Sequence, residues 1–184
     1  MPLDVDADSI ERAKADSDGL DHLIACVWPE AYRIAMSILR DPGLAEDAAQ
    51  EACATVARSL PSLKSAAGFP AWSYKIIVTR ALTTARQRRR TQSLDAGVDI
   101  GTYADTSDAL DLRAALASLP IVQRAAIVLH YYAGLKSGEI AAATGLPAST
   151  IRFHLMLARR ALRKTLAGKP HTPRSSEEAL PHVH

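Results

Sequence analysis

Residues 69–90, FPAWSYKIIVTRALTTARQRRR, repeat apolar side chains at the spacing of an α-helix, and no other stretch limits the fold of this 184-residue chain so tightly. At about 100° per residue, Tyr74, Ile77, Val78, Ala81, Leu82 and Ala85 fall on one side, which must enter a core. The opposite side carries Trp72, Lys75, Ile76, Thr79, Arg80, Thr83, Arg86 and Gln87, and the helix runs out through Arg88, Arg89 and Arg90. An aromatic ring on a cationic face suits an unpaired nucleic-acid strand, because the cations follow the phosphates while the ring accepts a base. The competing reading is a solvated basic face with Trp72 half-buried at the helix start.

Hydrophobic residues make up 48% of the chain and aromatics only 5%, so the core must be built from Ala, Leu, Ile and Val. Alanine-rich segments with little strand-like alternation predict an all-α fold. The net charge of +2 conceals a strong segregation. Residues 1–70 carry 6 basic and 12 acidic groups, residues 71–90 carry 6 and none, residues 91–112 none and 5, and residues 113–184 carry 10 and 3. Two cationic surfaces separated by an anionic connector suit a polyanion bound at two places. Two cysteines, Cys26 and Cys53, make neither a disulfide framework nor a metal cluster, and both fall on expected apolar helix faces. The acidic N-terminus lacks a signal-peptide core and no apolar run reaches 18 residues, so a cytoplasmic protein without membrane insertion is expected.

In chain order, residues 1–19 read as a disordered acidic tail. Residues 21–28 and 29–39 read as two helical pieces divided at Pro29, with Tyr32, Ala35, Met36 and Leu39 in the core. A turn at Asp41-Pro42-Gly43 precedes a helix over residues 44–60. Its Ala45, Ala49, Ala52, Cys53, Val56 and Leu60 gather on one side, and its Glu46, Asp47, Gln50 and Glu51 on another. Those carboxylates suit either the helix dipole or a basic partner. Residues 61–68 form a loop of small residues. Residues 91–107, with several Asp and neither Lys nor Arg, read as a flexible acidic linker between two small helical domains, residues 20–90 and 108–167.

The second domain ends in a helix-turn-helix. Ile140, Ala141 and Ala142 precede the turn Gly145-Leu146-Pro147, and Ile151, Leu155, Ala158 and Leu162 then form an apolar stripe. The opposite face offers Ser149, Arg152, Phe153, Met156, Arg159, Arg160 and Arg163, suited to a major groove. Residues 168–184, with scattered Pro and His, read as a disordered tail with no rigid geometry for a metal.

The ordered motifs RDPGLAEDAAQEA, FPAWSYKI ending in RQRRR, and LPIVQRAAIVLHYYAGLKSGEIAAATGLPASTIRFHLMLARRALRKTL together resemble a bacterial sigma factor of the extracytoplasmic-function type, within the sigma-70 family. The resemblance implies a transcription initiation factor rather than an enzyme, working without nucleotide, metal or other cofactor. Its implied partners are core RNA polymerase, through the β′ clamp helices and the β flap, and promoter DNA. An anti-sigma protein is a further implied partner, although no residue identifies one. The D-x-x-Q-E pattern places Glu46, Asp47, Gln50 and Glu51 at the polymerase. The loop and basic helix place Lys64, Ser65, Phe69, Trp72, Lys75, Thr79, Arg80, Thr83 and Arg86 at a −10 promoter element, with a flipped base held by the loop. The second helix of the helix-turn-helix places Ser149, Thr150, Arg152, Phe153, His154, Met156 and Arg159 at a −35 element.

Departures from the family's pattern concern specificity. Thr79 and Thr83 stand where Asn and Asp are common, and Ser65-Ala66 where Gly-Asp is common. Arg152-Phe153-His154 replaces a usual Lys-Ser-Arg run, and Lys136 displaces a capping Ser, leaving Ser137 to cap from one position later. The alternative function is a helix-turn-helix regulator that does not bind polymerase, against which the aromatic on the basic face argues. A hydrolase built on Cys26 and His22 lacks an oxyanion donor and a third group.

Overall fold

The computed structural model describes residue 3, residues 5–91, residue 112 and residues 114–167, and all regular structure among them is helical. Residues 92–107 of the expected linker and the expected tail 168–184 lie outside the described residues.

The N-terminal expectation is corrected. Helix α1, Ala7–Ala15, forms because the Asp6 carboxylate accepts the Ser9 N–H at 2.6 Å, while Ile10 and Ala13 are buried. Asp16 repeats the device, accepting the Gly19 N–H at 2.6 Å to start α2, Ser17–Leu39. Two of the aspartates that resemble a disordered tail by composition, Asp6 and Asp16, are therefore helix caps. Gly19 lets the two helices meet closely, since a Cβ there would lie 2.6 Å from the carbonyl carbon of Arg12.

Helix α2 is one helix with Pro29 inside it, not two pieces. Proline costs a helix interior about 3 kcal/mol, but the apolar stripe Leu23, Val27, Ala31, Ile34, Ala35 and Ile38 continues across it into a single core. Tyr32, Met36 and Leu39 lie at the edge of that stripe, half-buried. Cys26 is exposed rather than in the core, whereas Cys53 is buried and burial pushes its thiol pKa up to about 11. Arg40 ends α2 with φ of 61°, a left-handed conformation uncommon for a residue with a Cβ. Its guanidinium donates to the Ala117 carbonyl at 2.9 Å.

Asp41 then caps α3, Pro42–Ser59, accepting the Leu44 N–H at 3.0 Å. Ala45, Ala48, Ala49 and Ala52 bring α3 close against α2. Two 3-10 turns, Leu60–Ser62 and Ala66–Gly68, lead into α4, Phe69–Thr91, which packs on α2 and α3 through Tyr74, Ile77, Val78, Ala81 and Leu82. Arg88 of α4 donates to Asp41 at 2.6 Å, tying the far end of α4 to the α3 cap.

In the second unit, residues 114–117 are helical and α5, Ile121–Ile127, runs into a π turn, Val128–Tyr132. Buried Arg124 is caged by carbonyls: Nε donates to Leu116 at 2.9 Å, Nη2 to Ala117 at 3.1 Å and Leu119 at 2.8 Å, and Nη1 to Ile38. Burial and neighbouring Arg40 push its pKa down to about 10, so it stays charged at neutral pH. Helix α6, Ser137–Thr144, and α7, Ala148–Ala167, flank Gly145 at φ of 74°. Lys136, not Ser137, stands at the cap position, and the Glu139 carboxylate reaches back to accept the Lys136 N–H at 2.7 Å. Ile151, Leu155 and Ala158 are buried, as the stripe predicts.

The units are packed together. One apolar core runs through both, with α6 against α4 and α5 against α2.

Two outcomes follow from these junctions. Gly19→Ala should force α1 away from α2 at a cost of about 1–3 kcal/mol, seen as faster hydrogen exchange in residues 7–15 than in α3. Asp41 has its pKa lowered, first by the Leu44 N–H and then by Arg88, so its contribution is complete above the ordinary value of 3.8 and is lost as pH falls through the folded value. Asp41→Ala should cost about 1–2 kcal/mol at pH 7, and urea titrations at decreasing pH should show the gap from the parent chain closing.

Candidate nucleic-acid interface

Three surfaces carry the residues singled out in the sequence. The first is the outer side of α3. With the alanines turned into the core, Glu46, Asp47, Gln50 and Glu51 are all exposed on one face, with Ala54 beside them. None of the acidic groups lies in the first helical turn, where the dipole acts most strongly. Among the described residues none of these carboxylates makes an ion pair. The result is a smooth anionic face with uncommitted charge.

The second surface joins the 3-10 turns to α4. Lys64 and Ser65 are exposed on the loop. Phe69 is not part of the surface, because its ring is fully buried at 0% exposure. It props the half-buried Trp72 instead, with ring centroids 5.9 Å apart and planes tilted by 43°. Along the same side of α4, Lys75, Thr79 and Arg86 are exposed and Arg80 and Thr83 partly so. Thr83 turns its hydroxyl back to the Thr79 carbonyl at 2.8 Å. The Thr79 hydroxyl lies 2.7 Å from the Lys75 carbonyl and 2.9 Å from the Ala143 carbonyl of α6, so its single proton is shared between them.

The third surface is α7. Ser149, Arg152, Phe153 and Met156 are exposed, Phe153 at 54% and Met156 at 53%. Thr150, His154 and Arg159 are only partly so. The Arg159 guanidinium is held 5.4 Å from the centre of the Tyr131 ring, a cation–π contact that fixes its direction. His154 Nδ1 and Arg159 Nε are buried, with no hydrogen-bond partner among the described residues.

Sequence reasoning missed a polar centre between the units. Glu30 is only 4% exposed. Its Oε1 accepts from the Tyr74 hydroxyl at 3.2 Å, and its Oε2 from Arg33 and from the Tyr132 hydroxyl, both at 2.9 Å. Arg33 also donates to the Tyr132 hydroxyl at 2.7 Å, a bond that raises the Arg33 pKa. The Tyr74 oxygen accepts the Leu3 N–H at 2.8 Å, and burial pushes its pKa up to about 12. An acidic residue inside the apolar stripe Val27, Ala31, Ile34 was the available signal. Among the described residues no His, Cys, Asp and Glu group has the makings of a metal site, and no helix is long and apolar enough to cross a membrane.

Residues 23–91 match the family described as Sigma-70 region 2, and residues 109–162 match Sigma-70, region 4. The chain is 28% identical over 152 residues to RNA polymerase sigma factor SigV of Bacillus subtilis, covering 77% of this chain and 89% of that one. It is 30% identical over 131 residues to the extracytoplasmic-function sigma factor RpoE of Cereibacter sphaeroides, covering 67% and 72%. Its fold resembles that of the sigma factor RpoE of Bartonella quintana, solved in complex with the anti-sigma factor NepR, at a TM-score of 0.66 and 23% identity over 82% of this chain and 98% of that one. The chain therefore belongs to the extracytoplasmic-function sigma factors of the sigma-70 family, and it is an RNA polymerase sigma factor with regions 2 and 4.

Proposed function

We propose that this sigma factor divides its work among the three surfaces and performs no covalent chemistry of its own. The exposed face of α3, with Glu46, Asp47, Gln50 and Glu51, docks on the β′ clamp helices of core RNA polymerase, where an anionic patch meets a basic partner. Lys64 and Ser65 on the loop, with Trp72, Lys75, Thr79, Arg80, Thr83 and Arg86 on α4, capture the −10 element. Ser149, Thr150, Arg152, Phe153, His154, Met156 and Arg159 on α7 read the −35 element, with region 4 resting on the β flap. Phe69 supports the second surface from below rather than touching DNA. The site of action is the cytoplasm, and an anti-sigma protein is a further partner in this reading.

The observation that carries the proposal is the propped Trp72 at the head of a line of cations. Stacking on an aromatic side chain is worth about 1–3 kcal/mol per base, while a DNA base-pair step is worth about 1.4 kcal/mol. Capture of one or two bases is therefore of the right size to nucleate an opening in A·T-rich DNA. Binding energy alone then suffices, and neither nucleotide hydrolysis nor a metal is invoked.

Two substitutions test the assignment. Trp72→Ala should leave association with core polymerase unchanged and reduce open-complex formation by about tenfold or more, one lost stack, measured by permanganate reactivity of −10 thymines; normal opening would remove Trp72 from the mechanism. Glu51→Lys should weaken capture of core polymerase on a sensor surface while the helical circular dichroism stays the same, and undiminished capture would reject the α3 face as the docking site.

A further inference from the structure

The side of α7 turned away from the core carries two large apolar side chains open to solvent. At about 100° per residue, the buried stripe Ile151, Leu155 and Ala158 has its opposite pole at Ser149, Phe153, Met156 and Arg160. Phe153 is 54% exposed and Met156 53%. They stand one helical turn apart, in the middle of a face whose other members, Ser149, Arg152, Arg160 and Arg163, are also exposed. Helix α7 contains neither Asp nor Glu. A single apolar residue on a surface needs no explanation. A Phe–Met pair among arginines, on a helix without acids, is complementary to one kind of occupant: a polyanion that displays apolar groups between its charges.

Duplex DNA displays such groups in the major groove, which is about 12 Å wide and admits an α-helix. Cations on the flanks of the helix then follow the phosphates, while its outermost side chains meet the base edges. Those edges are donors and acceptors apart from one apolar group, the thymine C5 methyl. Phe153 has no side-chain hydrogen-bonding group, and the Met156 thioether is only a weak acceptor. Pressed against guanine O6 and N7 or a cytosine amino group, the pair strips water and offers no bond in return. Pressed against a thymine methyl, it removes apolar area on both partners from water.

We propose that Phe153 and Met156 are specificity-determining residues of the −35 contact, each selecting a thymine by its C5 methyl, while Arg160 and Arg163 hold the backbone beside them. This rests on the assignment of α7 to the −35 element and adds the chemistry of its sequence choice. Side chains three residues apart on a helix have Cβ atoms about 5–6 Å from each other, and base pairs are stacked about 3.4 Å apart. The two thymines therefore stand one or two steps from each other, on either strand.

The test begins with the full chain on core polymerase and a duplex library randomised across the −35 element. Recovered sequences should be enriched in thymine, on one strand or the other, at two positions one or two steps apart. In a duplex of recovered sequence, deoxyuridine in place of either thymine removes one methyl and leaves every hydrogen-bonding group. It should weaken binding about fourfold, the transfer free energy of one methyl. Phe153→Ala should make affinity indifferent to the methyl at one position and Met156→Ala at the other; both side chains are exposed, so the core is undisturbed. Neither variant should alter the slope of log affinity against log salt concentration, whereas Arg160→Ala should reduce it by about one. Equal binding to thymine and deoxyuridine duplexes, or the same fourfold loss in the parent chain and both alanine variants, would overturn the methyl contacts and leave α7 at the −35 element. A library without preference at any −35 position would remove the assignment of α7 itself, and this proposal with it.

Discussion

A carboxylate removed from water is costly unless donors surround it, and Glu30 meets that requirement only because four parts of the chain converge on it. Arg33 comes from its own helix, Tyr74 from α4, Tyr132 from the π turn, and Leu3 closes the network by donating to the Tyr74 oxygen. The tyrosines and Leu3 fix different relations: α4 against α2, region 4 against region 2, and the N-terminal segment against α4. The π turn is part of this arrangement, because it contains both Tyr131 and Tyr132, the former beneath Arg159 and the latter on Glu30. A wider turn at a functional junction is a common use of the π-helix.

The alanine content serves a complementary purpose. Alanine gives α3 a buried side so thin that α2 and α3 lie close, and the same economy on α6 admits α4. Burial of small side chains yields less transfer free energy per residue than burial of Leu or Ile, so specificity between the helices must come from elsewhere. It comes from capped corners. Asp6, Asp16 and Asp41 each accept an N–H at the start of a helix, and Asp41 also receives Arg88. Arg124 satisfies carbonyls at the ends of two segments at once.

Much of this was legible in the sequence, and what escaped has a physical reason. Helical periodicity identified the buried side of α4 and the stripe of α7, because each depends only on neighbours three or four residues away. Residues 1–19 were misread because composition records how many aspartates there are and not where they stand relative to free N–H groups. Two helices were expected in place of α2 because the local cost of Pro29 is visible in sequence, whereas the core on both sides of it is not. Phe69 was assigned to the surface with its neighbours, although its burial beneath Trp72 is what orients the ring. Glu30, Arg124 and the packing of α6 on α4 depend on partners scores of residues away, which no periodicity reports.

The cations illustrate how structure refines a reading of charge. Sequence places six basic residues in 71–90 and ten in 113–184 without distinguishing among them. Arg88 is bonded to Asp41, Arg124 is enclosed by carbonyls, and Arg159 is held over Tyr131. These groups shape the protein. Lys75, Arg86 and Arg89 on α4, and Arg152, Arg160 and Arg163 on α7, are exposed and keep their hydration. Only cations that exchange water and counterions for phosphate contribute to the salt-sensitive part of DNA affinity. The two surfaces thus present comparable sets of such groups on two rigid helices, while the bound arginines determine how those helices are aimed.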